Sequence, residues 1–282
     1  MRRLGVHTSI AGGIHLSLKR AKELGCSTMQ IFVHNPRGWE TRKIDNHEIE
    51  LFKRLSMEFD IRPIFIHSSY LINLASPSRD IRMKSIKGLS YEMRIANLLN
   101  VDGIVLHPGR SVNQDINAAI RHVSKGLMMA YEMAGCKVDI LLENTAGQRG
   151  DISSTIHSIA EIIEGTPARL VCGICLDSCH AYQSGYDITT IEGIERLKDE
   201  IDRYLKPLNI KLIHLNDSKM GFKSGIDRHQ HIGKGDIGIK GFKVFLSSFR
   251  GIPLILETPF KHKGDDHRNL QRVRRILRDI GE

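Results

Sequence analysis

The chain has 282 residues, 41% hydrophobic and 26% charged, an ordinary globular composition whose length fits two small domains or one barrel. With 41 Lys and Arg against 32 Asp and Glu the formal net charge is +9, which favours a polyanionic partner such as nucleic acid. The 5 cysteines are an odd number spread along the chain, which excludes a secreted disulfide framework and fits a reducing compartment. Leu4-Gly5-Val6 runs at once into polar His7-Thr8-Ser9, so no export signal is legible, and no stretch approaches ~18 apolar residues. The expected location is the cytoplasm, with no membrane contact.

Eight short apolar runs follow in chain order: 4–7, 28–33, 63–67, 103–107, 139–143, 171–177, 210–215 and 253–257. Their Ile, Val and Leu content predicts buried parallel strands. Between them lie segments of helical period, such as Ile116, Ala119, Ile120, Val123, Leu127 and Ala130, or Ile159, Ile162 and Ile163. Eight βα repeats in a chain slightly longer than the ~250-residue norm predict an α/β fold, a single-domain (β/α)8 TIM barrel over residues 1–282. The stretch 216–238, rich in Gly, Lys and Asp, is too long for a plain connection and is expected to be functional.

Six runs share a feature that barrel packing does not require: they end on His67, His107, Glu143, Asp177, His214 and Glu257. Such residues make up about one position in six, so six coincidences carry a probability on the order of 10⁻⁵. In a barrel the C-terminal strand ends meet at one mouth, so these side chains are expected to surround a common volume as a metal site. His180, three residues after Asp177, and Asp227-Arg-His229 in the long loop extend the set to nine ligands. Nine are too many for one tetrahedral zinc but suit three ions with bridging carboxylates. Four carboxylates against three divalent cations leave the mouth net positive, and clustered metals suit in-line displacement at phosphorus. A phosphodiester is therefore the expected substrate.

Two motifs mislead. Cys172-Gly-Ile-Cys175 has redox or zinc spacing, but strand alternation is expected to put the two thiols on opposite faces, so they are assigned as buried residues. Gly233-Lys-Gly-Asp-Ile-Gly238 fits a dinucleotide fingerprint but follows a polar loop rather than a strand. It is expected to cap the next helix, with a DNA phosphate as a further partner. Arg268, Arg272, Arg274, Arg275 and Arg278 interleave with Leu270, Val273, Leu277 and Ile280, which predicts an outer helix with a solvated basic face. His7 and His34 end the first two strands without being needed as ligands.

The stretches Gly173-Ile-Cys-Leu-Asp-Ser-Cys-His180, His214-Leu-Asn-Asp-Ser-Lys219, Asp227-Arg-His229, His107-Pro-Gly109 and Glu257-Thr-Pro259 closely resemble endonuclease IV, the zinc-dependent apurinic/apyrimidinic endonucleases. The resemblance runs along essentially the whole chain, with Ser178 where the family usually has threonine. It implies three zinc ions: one on His67, His107 and Glu143, a second on Glu143, Asp177, His214 and Glu257, and a third on His180, Asp227 and His229. It further implies that Glu257 and Glu143 are catalytic, with hydroxide near Glu257 attacking the phosphorus 5′ to an abasic site in double-stranded DNA. The products would be a 3′-hydroxyl and a 5′-deoxyribose phosphate. Arg37 and Tyr70 occupy places where the family inserts side chains at the damaged step, where unstacking costs least. A monomer with no nucleotide cofactor is implied as well. The rival reading is a metal-dependent sugar isomerase or epimerase on a related barrel, which has no use for a third cluster.

Overall fold

The computed structural model describes residues 2–167, 170–205 and 209–282. Its strands are β1 (Leu4–Val6), β2 (Met29–Ile31), β3 (Ile64–His67), β4 (Gly103–Leu106), β5 (Ile140–Glu143), β6 (Val171–Asp177), β7 (Asn209–His214), the two-residue β8 (Asp217–Ser218) and β9 (His229–Gln230), and β10 (Leu254–Leu256). All but β8 and β9 form one parallel sheet in the order β1-β10-β7-β6-β5-β4-β3-β2. The eight predicted strands are all present, trimmed by a residue or more at most ends.

The two edges of the sheet meet through a parallel bridge between His7 and Gln30, where the Thr8 N–H donates to the Gln30 carbonyl at 2.8 Å. Gly5 makes this closure possible. A Cβ at Gly5 would lie 1.8 Å from the Thr28 carbonyl oxygen, so no larger residue lets β1 approach β2. The result is a TIM barrel.

Strand alternation divides the apolar residues between two cores. Phe65, Val105, Leu141, Cys175, Leu212 and Ile255 fill the barrel interior, while neighbours such as Ile64, Ile66, Ile104, Leu106, Ile140 and Leu142 face the helices. Cys172 departs from the predicted alternation. The pairing of β6 shifts register against β5 and again against β7, and Cys172 packs on the same inner cluster as Cys175 instead of on the opposite face. All five cysteines are free thiols.

The helices are α1 (Leu16–Glu23), α2 (Asn46–Glu58), α3 (Arg79–Leu99), α4 (Ile116–Ala134), α5 (Ile156–Glu164), α6 (Ser178–Ser184), α7 (Ile191–Tyr204), α8 (Gly238–Ser248) and α9 (Asp265–Asp279). Asp45, Ser78, Asp115, Thr155 and Thr190 cap α2, α3, α4, α5 and α7 by accepting a backbone N–H of the first turn. In α4 the predicted stripe is buried except for Ile116, and α9 buries Leu270, Val273 and Leu277, with Ile280 partly buried beyond its end.

The glycine-rich turn before α8 caps that helix, but its amides are already in use. The fully buried Asp217 carboxylate accepts N–H groups from Gly235, Ile237 and Gly238 at 3.0–3.3 Å. A Cβ at Gly235 would strike the Ser218 carbonyl, so this turn folds around a carboxylate of the chain itself, and the expected phosphate contact at these amides is not supported. None of the described helices is long and apolar enough to cross a membrane.

Because Gly5 sits at the seam, Gly5→Ala is expected to destabilise the fold by about 3 kcal/mol through forced separation of β1 and β2. Urea unfolding measures this directly, and an unchanged midpoint would contradict the role given to the glycine.

Candidate metal centre

His67, Glu143, Asp177 and His214 are the last residues of β3, β5, β6 and β7. His107 and Glu257 stand one residue beyond β4 and β10, where the ladder has already opened. All six reach the same mouth, and Glu143, fully buried, is at its centre. Its Oε2 lies 2.9 Å from His107 Nε2 and 3.3 Å from His67 Nε2, and its Oε1 lies 3.0 Å from His214 Nδ1. Glu257 Oε2 is 3.2 Å from the same His214 nitrogen.

The donor atoms fall into overlapping groups whose members lie within 4.8 Å of one another: His67, His107 and Glu143; Glu143, Asp177, His214 and Glu257; and Asp177, His180 and His229. Asp227 adjoins the last group, with Oδ1 3.3 Å from His180 Nε2 and 3.5 Å from His229 Nε2. The antiparallel pair β8–β9 folds the long loop back so that His229 and Asp227 reach the mouth.

The histidines are held in a consistent way. Nδ1 of His67 donates to the Ser68 carbonyl at 2.7 Å, Nδ1 of His180 to the Asn144 carbonyl at 2.9 Å, and Nδ1 of His229 to the Glu257 carbonyl at 3.2 Å. His214 is turned the other way, with Nε2 donating to Gln30 Oε1 at 2.9 Å. Each ring thus has one nitrogen tethered to an oxygen that only accepts, and its other nitrogen aimed at the carboxylates. This is the arrangement in which outer hydrogen bonds fix tautomer and orientation for metal ligation. His180 Nε2 and His229 Nε2 are buried without a hydrogen-bond partner among the described residues, which fits donor atoms awaiting a cation.

Three amides that the sequence reading passed over complete the frame. Gln30, fully buried on β2, also donates to Glu257 Oε1 at 2.7 Å. Asn144 Oδ1 accepts the Asp177 N–H at 2.7 Å, and Asn216 joins two of the candidate donors by donating to Asp177 Oδ2 and accepting the Glu257 N–H. Asn144 and Asn216 were visible as polar residues one and two places after a ligand; Gln30, inside the apolar run Met29-Gln30-Ile31, offered only its inward register. Ser178 uses its hydroxyl as a bridge, accepting the Asn216 N–H and donating to the Asn216 carbonyl, so β6 and β7 are tied just below the site.

Electrostatics follow from this crowding. Burial alone would raise the Glu143 carboxyl, yet His107 and His214 outweigh it and hold it well below the ordinary range. Burial would lower His180, but Asp177 and Asp227 outweigh it and hold it well above; His214 is raised against burial by Cys175, Glu257 and Glu143. The carboxylates and the raised imidazoles of His67, His180 and His214 thus stabilise one another's charged forms.

The mouth opens into a cleft of about 660 Å³ lined by His67, His107, His180, Asp227, Glu257 and also by Tyr70. Arg110 and Arg228 line it too. Tyr70 is 63% exposed, its ring edge against Phe32 at 5.1 Å, while Arg37 is exposed on the neighbouring loop.

Residues 18–280 match the family described as Xylose isomerase-like TIM barrel, in agreement with the barrel found here. The chain is 38% identical over 276 residues to a probable endonuclease 4 of Methanoculleus marisnigri, covering 97% of this chain and 98% of that protein. It is 37% identical over 279 residues to one of Halothermothrix orenii, covering 98% and 100%. The structure of endonuclease IV from Thermus thermophilus superposes with a TM-score of 0.87 at 33% identity, covering 98% of this chain and 99% of that one. The chain belongs to the endonuclease IV family and is an enzyme of the nuclease type. A D-tagatose 3-epimerase-like protein, with a TM-score of 0.73 at 19% identity, shares the fold alone.

Because the raised histidines must give up protons before ligating, divalent metal added to the metal-free protein near neutral pH is expected to release protons, and affinity is expected to weaken as pH falls. Calorimetry in buffers of different ionisation enthalpy reads this, and binding with no proton release would contradict the network described.

Proposed function

We propose that this chain is a DNA-repair hydrolase that cuts the phosphodiester 5′ to abasic sites in duplex DNA, using three zinc ions and acting as a cytoplasmic monomer. The observation that carries the reading is the tethering of His67, His180, His214 and His229 around four carboxylates, with His180 Nε2 and His229 Nε2 beside Asp227 but without a hydrogen-bond partner among the described residues. His67, His107 and Glu143 would hold one ion, Glu143, Asp177, His214 and Glu257 a second, and His180, Asp227 and His229 the third. Zinc in such a donor set supplies Lewis-acid polarisation of a phosphoryl oxygen and brings the ionisation of water toward neutral pH.

The rest is work for the chain's own groups. Glu257, oriented by Gln30 and by its N–H to Asn216, is placed to take a proton from the attacking water as the new oxygen–phosphorus bond forms. The bond to the 3′ oxygen of the preceding nucleotide breaks and that oxygen takes up a proton from solvent, leaving a 3′-hydroxyl and a 5′-deoxyribose phosphate. Glu143, shared between two donor groups, keeps their separation fixed through the reaction. Arg228 supplies positive charge toward the phosphate backbone in the same cleft, where Arg110 is held by Asp151 at 2.8 Å. Arg37 and Tyr70 enter the stack where the base is missing and hold the sugar toward the mouth. A sugar epimerase would abstract a proton beside a carbonyl and has no task for the cluster of His180, Asp227 and His229.

A duplex oligonucleotide bearing one tetrahydrofuran abasic analogue tests the reading. Incision is expected immediately 5′ to the lesion and is expected to stop on chelation; no incision, or incision indifferent to chelator, contradicts it. Arg37→Ala and Tyr70→Ala are each expected to raise KM for that duplex about tenfold while bound metal stays constant. Metal loss in either variant would place these side chains in the wrong role.

A further inference from the structure

Glu92 lies on the inner face of α3, fully buried, and belongs to no donor group of the centre. One of its oxygens, Oε1, accepts the Ser69 backbone N–H at 2.9 Å and lies 3.0 Å from His34 Nε2. Those two partners open different loops. Ser69 precedes Tyr70 in the loop after β3, and His34 leads into Asn35-Pro36-Arg37-Gly38-Trp39 after β2.

The loops are strapped to each other as well. Ser69 Oγ donates to the Pro36 carbonyl at 2.9 Å and accepts the Leu71 N–H at 3.3 Å. His34 Nδ1 donates to the Asn35 carbonyl at 3.0 Å, and Asn35 Oδ1 accepts the Arg37 N–H at 3.1 Å. Since both nitrogens of His34 face oxygens, the ring donates at both ends and meets Glu92 as a charge-assisted pair. The other Glu92 oxygen, Oε2, is buried with no hydrogen-bond partner among the described residues. A carboxylate left half satisfied in a core costs stability that an apolar residue would not, so packing alone does not account for it.

We propose that Glu92 is a positioning residue that joins the Arg37 loop and the Tyr70 loop into one rigid probe for damaged DNA. Its task is to keep the two inserting side chains in a fixed mutual register, so that both reach the same base step together and little ordering is left to be done on binding. The use of the probe on DNA rests on the proposed function above; the rigid union of the loops does not.

Trp39, the sole tryptophan, lies at the end of the first loop beside α3, where a Cβ on Gly88 would sit 3.5 Å from its ring, and it reports on that loop without any ligand. In free protein, Glu92→Leu and Ser69→Ala are expected to lower Trp39 fluorescence anisotropy, whereas Glu92→Gln, whose amide oxygen still accepts the Ser69 N–H but lacks the charge that pairs with His34, is expected to lie between Glu92→Leu and the parent. On the abasic duplex, Glu92→Leu is expected to raise KM about tenfold with kcat at saturation held within about twofold, and Glu92→Gln is expected to recover part of that loss. Unchanged anisotropy in both Glu92→Leu and Ser69→Ala overturns the union of the loops, whether or not DNA is cut. A fall in kcat with KM unchanged overturns the recognition role. If the parent protein shows no lesion cutting, the proposed function falls, and the Trp39 measurement alone still decides the clamp.

Discussion

The centre depends on one constraint: a buried carboxylate, Glu143, stands among three imidazoles with donor nitrogens 2.9 to 3.3 Å away. A charge removed from water at that depth is tolerable only if it is closely compensated. Histidines without tethers would turn to satisfy their own hydrogen bonds elsewhere. The carbonyls of Ser68, Asn144 and Glu257 and the amide of Gln30 prevent this by occupying one nitrogen of each of four rings. Rigidity of these donor groups therefore comes from hydrogen bonds one step outside them.

Barrel topology makes those tethers available. Adjacent parallel strands bring their last residues side by side, and the groups one or two positions later, such as Asn144 and Asn216, turn back across the mouth to tie neighbouring strand ends. The seam between β1 and β2 contributes more than closure. It places Gln30 opposite His7 and beneath Glu257, so the residue that completes the barrel also aligns His214 of β7 and Glu257 at the end of β10. Folding and site construction share the same contacts here.

Much of this was legible in the sequence because strand ends have a single geometric meaning in a barrel. Ile-Phe-Ile-His67 and Ile-Leu-Leu-Glu143 announce both a buried strand and the direction of its last side chain. Asp227 and His229 were readable only as a pair in a long loop, and their position depends on the β8–β9 ladder and on Asp217, whose burial under the turn at 235–238 no local pattern signals. Gln30 and Glu92 were missed for the same reason. A polar residue in an apolar run or on a helix shows its purpose only once distant elements bring it a partner, and those partners are His214 and Glu257 for one and His34 and Ser69 for the other. The spacing of Cys172 and Cys175 misled differently, since one inserted residue at Cys172, where Ile140 and Leu141 of β5 pair with Val171 and Gly173, reverses the alternation on which the expectation rested.

Two layers of order thus meet at the mouth: a rigid floor of tethered ligands from the strands, and loops carrying Asp227, His229, Arg37 and Tyr70 that are fastened by buried polar anchors. The most direct test of the central claim is the location of bound ions by anomalous diffraction at the zinc edge from crystals of the metal-loaded protein. The account predicts three peaks, bounded by His67, His107 and Glu143, by Glu143, Asp177, His214 and Glu257, and by His180, Asp227 and His229. A single peak, or zinc bound with His180 Nε2 and His229 Nε2 left outside its coordination, would contradict it.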